Sequence, residues 1–195
     1  NQDIMARMWF PSSVLQAYAA AATIPTAVTA AITDYLNAKA TRAAAPGALT
    51  PTQTALLAAP KIPYNLDAWD GYPSNREALL QTIKAQNKKL VALSGDSHNA
   101  WFANLTTLAG EKVGVEFATS SVTAPGFESV GLGALAASLD GSALVPQLGS
   151  AAIGAGLGLV DDLNYTDSSR RGDLLMTVTA QAVKGEFVFV STVKS

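Results

Sequence analysis

Cysteine is absent from this 195-residue chain, histidine occurs once, and only 14% of the residues carry a charge. Without cysteine there is no disulfide framework, no thiolate metal site and no cysteine nucleophile within the chain. A single imidazole, His98, rules out a histidine-rich metal cage and leaves no choice of Ser–His pairs. The chemistry must run through His98, through carboxylates, or through groups outside the chain. Thirteen Lys and Arg against fifteen Asp and Glu give a net charge of −2, which leaves no basic footprint for nucleic acid or an anionic membrane. The apolar share of 49% and the length fit one domain able to bury a sizeable core.

Two uncharged runs are long enough to test as membrane spans. Pro11 to Thr33 is built of Ala, Ser and Thr and contains Pro25, whereas Ser142 to Val160 contains Pro146 and several glycines. A span needs about 20 residues dominated by Leu, Ile, Phe and Val, so neither run reads as a membrane span. The opening Asn1-Gln2-Asp3-Ile4 has no basic region and no small-residue cleavage site, and reads neither as a signal peptide nor as a natural N-terminus.

The remaining chain alternates helical and extended patterns. Residues 12 to 44 are alanine-rich and predict one helix, or two divided near Pro25. After Ala45-Pro46-Gly47, the segment Leu49-Thr50-Pro51-Thr52 opens another short helix, and Pro60 with Pro63 marks an extended connection. Ser74 to Asn87 predicts a helix with Ser74 and Glu77 as a capping box and Leu79, Leu80 and Ile83 as its buried stripe. Leu90 to Ser94 reads as a buried strand that stops at Gly95, and Val113 to Ser121 as a second strand. Leu174 to Ala182 and Glu186 to Val193 predict a hairpin turning at Val183-Lys184-Gly185, with both faces covered. Residues 127 to 163, rich in Gly, Ala and Leu, fit either an ordered insert or a mobile loop.

Three stretches could carry chemistry. The first is Ser94-Gly95-Asp96-Ser97-His98-Asn99-Ala100-Trp101, directly after the strand, where loops of an open α/β sheet converge on ligands. If this loop stays extended, Asp96 and His98 point the same way and offer one carboxylate and one imidazole to a metal. The bland reading, equally open on spacing alone, is a turn cap and a hydrogen-bonded core histidine. A serine-esterase reading of Gly95-Asp96-Ser97 fails, because the only base is the chain neighbour of Ser97 and projects to the opposite side. The second stretch, Asn65 to Pro73 followed by Arg76, groups Asp67, Trp69, Asp70, Tyr72 and a guanidinium suited to phosphate, or is a solvated turn anchored by its aromatic residues. The third, Glu116 to Gly126, ends a strand in clustered hydroxyls that could donate to an anion. The pairs Asp161-Asp162 and Arg170-Arg171 read as surface charges.

The three stretches occur together and in this order in one family. NLDAWDGYPSNR at 65 to 76, LVALSGDSHNAW at 90 to 101, EFATSSVTAPG at 116 to 126 and the closing RRGDLLMTVTAQAVKGEFVFVSTV at 170 to 193 resemble the C-terminal half of the PhoD-like (alkaline phosphatase D) phosphatases of the calcineurin-like metallophosphatase superfamily. The resemblance spans nearly the whole chain, 1 to 195, most loosely over 12 to 60 and 127 to 165. It implies an α/β (α+β) fold, part of a four-layer αββα sandwich of facing sheets, with the chain supplying one sheet and flanking helices. It also implies metal-dependent hydrolysis of phosphate monoesters and diesters, with divalent or trivalent ions (calcium and iron) as cofactors, in a periplasmic or secreted enzyme. Asp96 and His98 would be metal ligands and catalytic, serving in-line attack on phosphorus by a hydroxide that the metal holds. Trp69, Asp70, Tyr72, Arg76 and Asn99 would shape the substrate pocket or steady the ligands.

The departure from the family is as informative. Its earlier ligand motifs, an aspartate-bearing strand start, a GD-x-x-Y segment and a D-D-H-type loop, are absent from this sequence. One histidine and one carboxylate fall short of the roughly four to six positions each ion takes. The expectation is therefore a fragment, or one piece of a clipped enzyme that needs its N-terminal half, possibly as a separate chain. The alternative is a non-catalytic fragment acting as a structural or interaction domain. A half-sandwich would also leave an apolar sheet face uncovered.

Overall fold

The computed structural model describes residues 2–21, 25–126, 140 and 158–191. Among these, four α-helices and eight strands build a mixed α/β architecture. Helices α1 (Ser12–Ala21) and α2 (Pro25–Ala44) realise the alanine-rich region, and Pro25 opens α2 at the first helical position, where its missing N–H costs nothing. Helix α3 (Pro51–Ala58) starts at a complete capping box between Thr50 and Gln53. Strand β1 (Trp9–Pro11) pairs antiparallel with β2 (Lys61–Pro63), so the extended connection through Pro60 and Pro63 is half of a small ladder.

Helix α4 (Pro73–Ala85) begins one residue before the predicted start, and the expected capping box does not form. Pro73 takes the first helical position behind Tyr72, which offers no side-chain cap. Glu77 instead accepts from the Gln81 side chain at 2.7 Å and from the Leu108 amide at 2.8 Å, tying the helix to the sheet beneath it. Leu80 is fully buried, and Leu79 and Ile83 lie partly buried against the core, as the spacing predicts.

The main sheet holds β3 (Leu90–Ser94), β4 (Ala100–Thr106), β5 (Lys112–Ala118) and β6 (Leu163–Asp167) in the order β3-β5-β4-β6. Strand β3 runs parallel to β5, and the other pairs are antiparallel. β3 stops at Ser94 as predicted, but it is an edge strand with Leu93 exposed, and so is half-covered rather than buried. β4 and β6 were not anticipated. Along β4, Trp101, Ala103 and Leu105 face the main core while Phe102 turns to the opposite face. Burial of such side chains is worth about 1.5–3 kcal/mol each, the largest favourable contribution to the fold.

The opposite face of this sheet carries a hairpin of β7 (Gly172–Val178) and β8 (Val183–Phe189). The sheets meet through Phe187 of the hairpin, which stacks on Tyr165 at 5.3 Å and lies tilted against Phe117 at 6.4 Å, while Phe117 in turn stacks on its sheet neighbour Phe102 at 4.6 Å. The predicted turn at Val183-Lys184-Gly185 is corrected to residues 179–182, where the Thr179 hydroxyl accepts from the Ala182 amide at 3.0 Å. Gly185 lies inside β8, and a Cβ there would meet the Phe117 ring at 2.5 Å. The glycine marks close packing rather than a turn. The hairpin is not covered on both faces, since Leu175 and Val188 are about half exposed on its outer side. Of the Gly/Ala/Leu-rich region, residues 127–139 and 141–157 lie outside the described residues; Leu159 and Val160 are buried in the core.

Two pairs of charges read as superficial are structural. Asp161 accepts from the buried Lys39 at 2.7 Å and from Lys61, and Asp162 pairs with Arg7 at 3.3 Å. Arg171 is buried, and the Arg170 guanidinium lies over the Phe189 ring at 4.2 Å and pairs with Asp167.

Candidate functional site

The Gly95–Asn99 loop leaves the carboxyl end of β3, the end of a parallel strand where ligands are bound in open sheets. The loop is not extended. Asp96 and His98 both adopt left-handed backbone, with φ of 62° and 59°, which L-residues occupy at a cost of about 1 kcal/mol each. Asp96 lines a cleft of about 340 Å³ together with Gln2, Asp3, Asp67, Trp69, Tyr72 and Asn75. His98 is exposed and turns Nδ1 to the Pro125 carbonyl at 3.0 Å. A carbonyl only accepts, so Nδ1 is the protonated, donating nitrogen and Nε2 is the one left outside this bond. That carbonyl belongs to the third stretch, two of whose hydroxyls are taken up by backbone: Ser120 donates to the Gly172 carbonyl and Ser121 to that of Ala124.

Of the remaining predicted residues, Trp69 and the exposed Tyr72 line the cleft. Asp70, Arg76 and Asn99 are buried and do not. Asn99 donates to the Ser97 carbonyl at 2.6 Å and braces the loop from within. Asp70 accepts from the Met8 amide at 2.9 Å and from the Trp9 indole at 2.8 Å. Burial pushes its carboxyl above the ordinary range, against the lowering pull of those two donors. Arg76 donates from Nε to the Met5 carbonyl at 2.6 Å and from Nη1 to the Thr106 carbonyl at 3.0 Å. Burial first, then the nearby Arg7 charge, draws the guanidinium below its ordinary value. The arginine read as a phosphate fork is thus committed to backbone.

The residue that sequence reasoning missed is Glu116. It lies in β5, is 1% exposed, and accepts from the Met5 amide at 3.0 Å through either oxygen and from the Ala6 amide at 2.7 Å. Glu116, Asp70 and Arg76 converge on residues 4–9, a segment without ladder partners before Trp9. Further bonds hold it: the Ile4 amide donates to Asp3, the Trp69 and Tyr64 amides donate to the Ile4 and Met8 carbonyls, and the Gly95 amide donates to the carbonyl of the adjoining Gln2. This clamp carries Gln2 and Asp3 to the cleft beside Asp96. Burial raises the Asp3 carboxyl, and the charges of Asp96 and Asp67 raise it further; burial pushes the neighbouring Tyr64 hydroxyl up to about 12.

Among the described residues, no three Asp, Glu or His side chains converge closely enough to hold a metal ion. Asp96 and His98 are chemically suitable donors, but as a set they do not complete a site in this chain. Among the described residues the buried Ser97 hydroxyl has no hydrogen-bond partner, so none of them acts on it as the base that an esterase nucleophile requires. Among the described residues, no helix is long and apolar enough to cross a membrane.

A sequence model of the PhoD-like phosphatases matches residues 7–187. Alkaline phosphatase D of Bacillus subtilis (strain 168) is 38% identical over 68 residues, a match covering 32% of this chain and 12% of that enzyme. A solved structure of PhoD is 25% identical and covers 63% of this chain and 20% of its own, with a TM-score of 0.41. The chain therefore spans only a minor part of the length of the relatives it matches. With nearly all of its length under the family match, the chain belongs to the PhoD-like phosphatase family.

Proposed function

We propose that this chain contributes the Asp96–His98 loop to an enzyme that hydrolyses phosphate monoesters and diesters. What carries the reading is the loop itself: at the carboxyl end of a parallel strand, with two strained non-glycine residues, it turns Asp96 into a cleft and fixes the His98 tautomer through the Pro125 carbonyl. Strain of this kind persists where the surrounding structure enforces it and clusters at functional sites. Asp96 and His98 act as two metal donors, and the remaining donors lie on the part of the enzyme that has no counterpart here, the N-terminal half, whether joined or as a separate chain. Calcium and iron are the ions the family resemblance implies, and the donors present do not choose between them. Trp69 and Tyr72 wall the organic group of the ester, while Asp70, Arg76 and Asn99 hold the walls in place. Export to the periplasm or beyond the cell belongs to the same reading.

For the chain by itself, the donor count favours a second reading: a structural or interaction module that binds metal weakly or not at all. His98→Ala in the complete enzyme separates the two. The first reading expects phosphate release and bound metal to fall together, turnover by at least about 100-fold, with the melting temperature unchanged. Unaltered turnover and metal content in that variant would remove His98 from the site.

A further inference from the structure

The chemistry of the cleft walls has a consequence for what the cleft admits. Among the described residues its carboxylates are Asp3, Asp67 and Asp96, its rings are Trp69 and Tyr72, and Gln2 and Asn75 also line it, with no Lys, Arg or His among them. If Asp96 is committed to a metal, Asp3 and Asp67 remain as carboxylates lining the same cleft as two aromatic rings. Asp67 and Tyr72 are both exposed, so the charge and one ring face open water. Aromatic faces attract cations through their quadrupole, and nearby carboxylates add Coulomb attraction. The same carboxylates repel a second phosphate or a carboxylate on the substrate. A volume of about 340 Å³ accommodates a small organic group and not an extended chain.

We propose that the cleft selects phosphate esters whose organic group carries an ammonium cation, a primary amine or a quaternary ammonium, seated against Tyr72 and Trp69 and paired with Asp67 and Asp3. This rests on the phosphate-ester reading for the reaction, but the recognition of the cation does not depend on turnover. The cleft thus discriminates by charge at the alcohol end, while the Asp96 loop handles the phosphorus end.

The test is a pair of isosteres that differ only in charge. Choline and 3,3-dimethylbutan-1-ol are titrated into the protein and followed by NMR, and phosphocholine and 3,3-dimethylbutyl phosphate are compared as substrates of the complete enzyme. Choline is expected to bind about tenfold more tightly than its neutral isostere, with kcat/KM favouring phosphocholine in the same proportion. Asp67→Asn and Tyr72→Leu, both at exposed positions, should each remove most of that preference. Equal or tighter binding of the neutral alcohol, or a preference that survives both substitutions, overturns the proposal. If choline is preferred and the preference depends on Asp67 and Tyr72, yet neither ester releases phosphate, the cation site stands and the hydrolase reading falls.

Discussion

Replacing Glu116 by Gln keeps the shape of a fully buried side chain and removes its charge. Oε2 already reaches both amides, at 3.0 Å to Met5 and 2.7 Å to Ala6, so a glutamine oxygen in that place retains two hydrogen bonds. The amide nitrogen then occupies the position of Oε1, 3.0 Å from the Met5 N–H, and sets donor against donor. Hydrogen bonds to a charged partner are worth about 1.5–3 kcal/mol each and neutral ones about 0.5–1.5, so two downgraded bonds lose about 2–3 kcal/mol. Relief from burying the charge returns part of this, leaving an expected loss of about 1–2 kcal/mol. Glu116→Leu leaves two buried N–H groups without acceptors and should cost about 3–5 kcal/mol. Urea denaturation reads these values, and native-state hydrogen exchange reads the site itself, because the Met5 and Ala6 amides should exchange faster by more than the global change explains. Glutamine and leucine variants as stable as the parent, with Met5 and Ala6 still protected, would refute the clamp.

Two further outcomes follow from the loop and from the charges. Asp96→Gly relieves a left-handed aspartate at the cost of a more flexible unfolded chain, so stability should hold or rise by up to about 1 kcal/mol while hydrolysis by the complete enzyme collapses; a stability loss larger than that shows Asp96 to be a structural residue. Burial raises the Asp161 carboxyl, but Lys39 and then Lys61 outweigh it and hold it below its ordinary 3.8. A depressed folded value means that its stabilisation is present in full above the unfolded value and is lost as pH falls through the folded one. The stability gap between the parent and Asp161→Asn should therefore be widest at neutral pH, about 1–2 kcal/mol given a side chain 51% exposed, and should close below pH 3.8 in denaturation curves.

The features legible in the sequence are those whose causes are local. The Thr50 cap, the proline that opens α2 and the apolar run of β3 each sit within a few residues of the element they specify. β4 was also legible in principle, since Trp101, Ala103 and Leu105 alternate with Phe102 and Asn104, but a strand beginning two residues after His98 was hidden inside the motif that drew attention to it. Gly185 misled because glycine signals both a turn and a close contact, and only the Phe117 ring, 68 positions away along the chain by residue number, decides between them. Glu116 left one trace, a lone acid between Val115 and Phe117 in a stretch that is otherwise apolar from Val113 to Ala118. Such a residue has to find donors, but nothing nearby says that they lie 111 and 110 positions upstream.

The clamp also explains why three charged groups are spent on one short segment. Residues 4–8 belong to no strand, so their amides and carbonyls have no ladder to complete, and buried backbone groups must be satisfied. Apolar packing alone could bury Ile4, Met5 and Met8 equally well with the segment displaced by a residue, because methyl and thioether contacts are indifferent to register. Directional bonds are not. Glu116 fixes Met5 and Ala6, Asp70 fixes Met8 and Trp9, and Arg76 fixes the Met5 carbonyl, each from a different element. A shift by one residue would misplace every one of these and would move Asp3 out of the cleft. Asp70 and Arg76 therefore bear on the site through position: they decide which residues stand beside Asp96 without themselves facing the cleft.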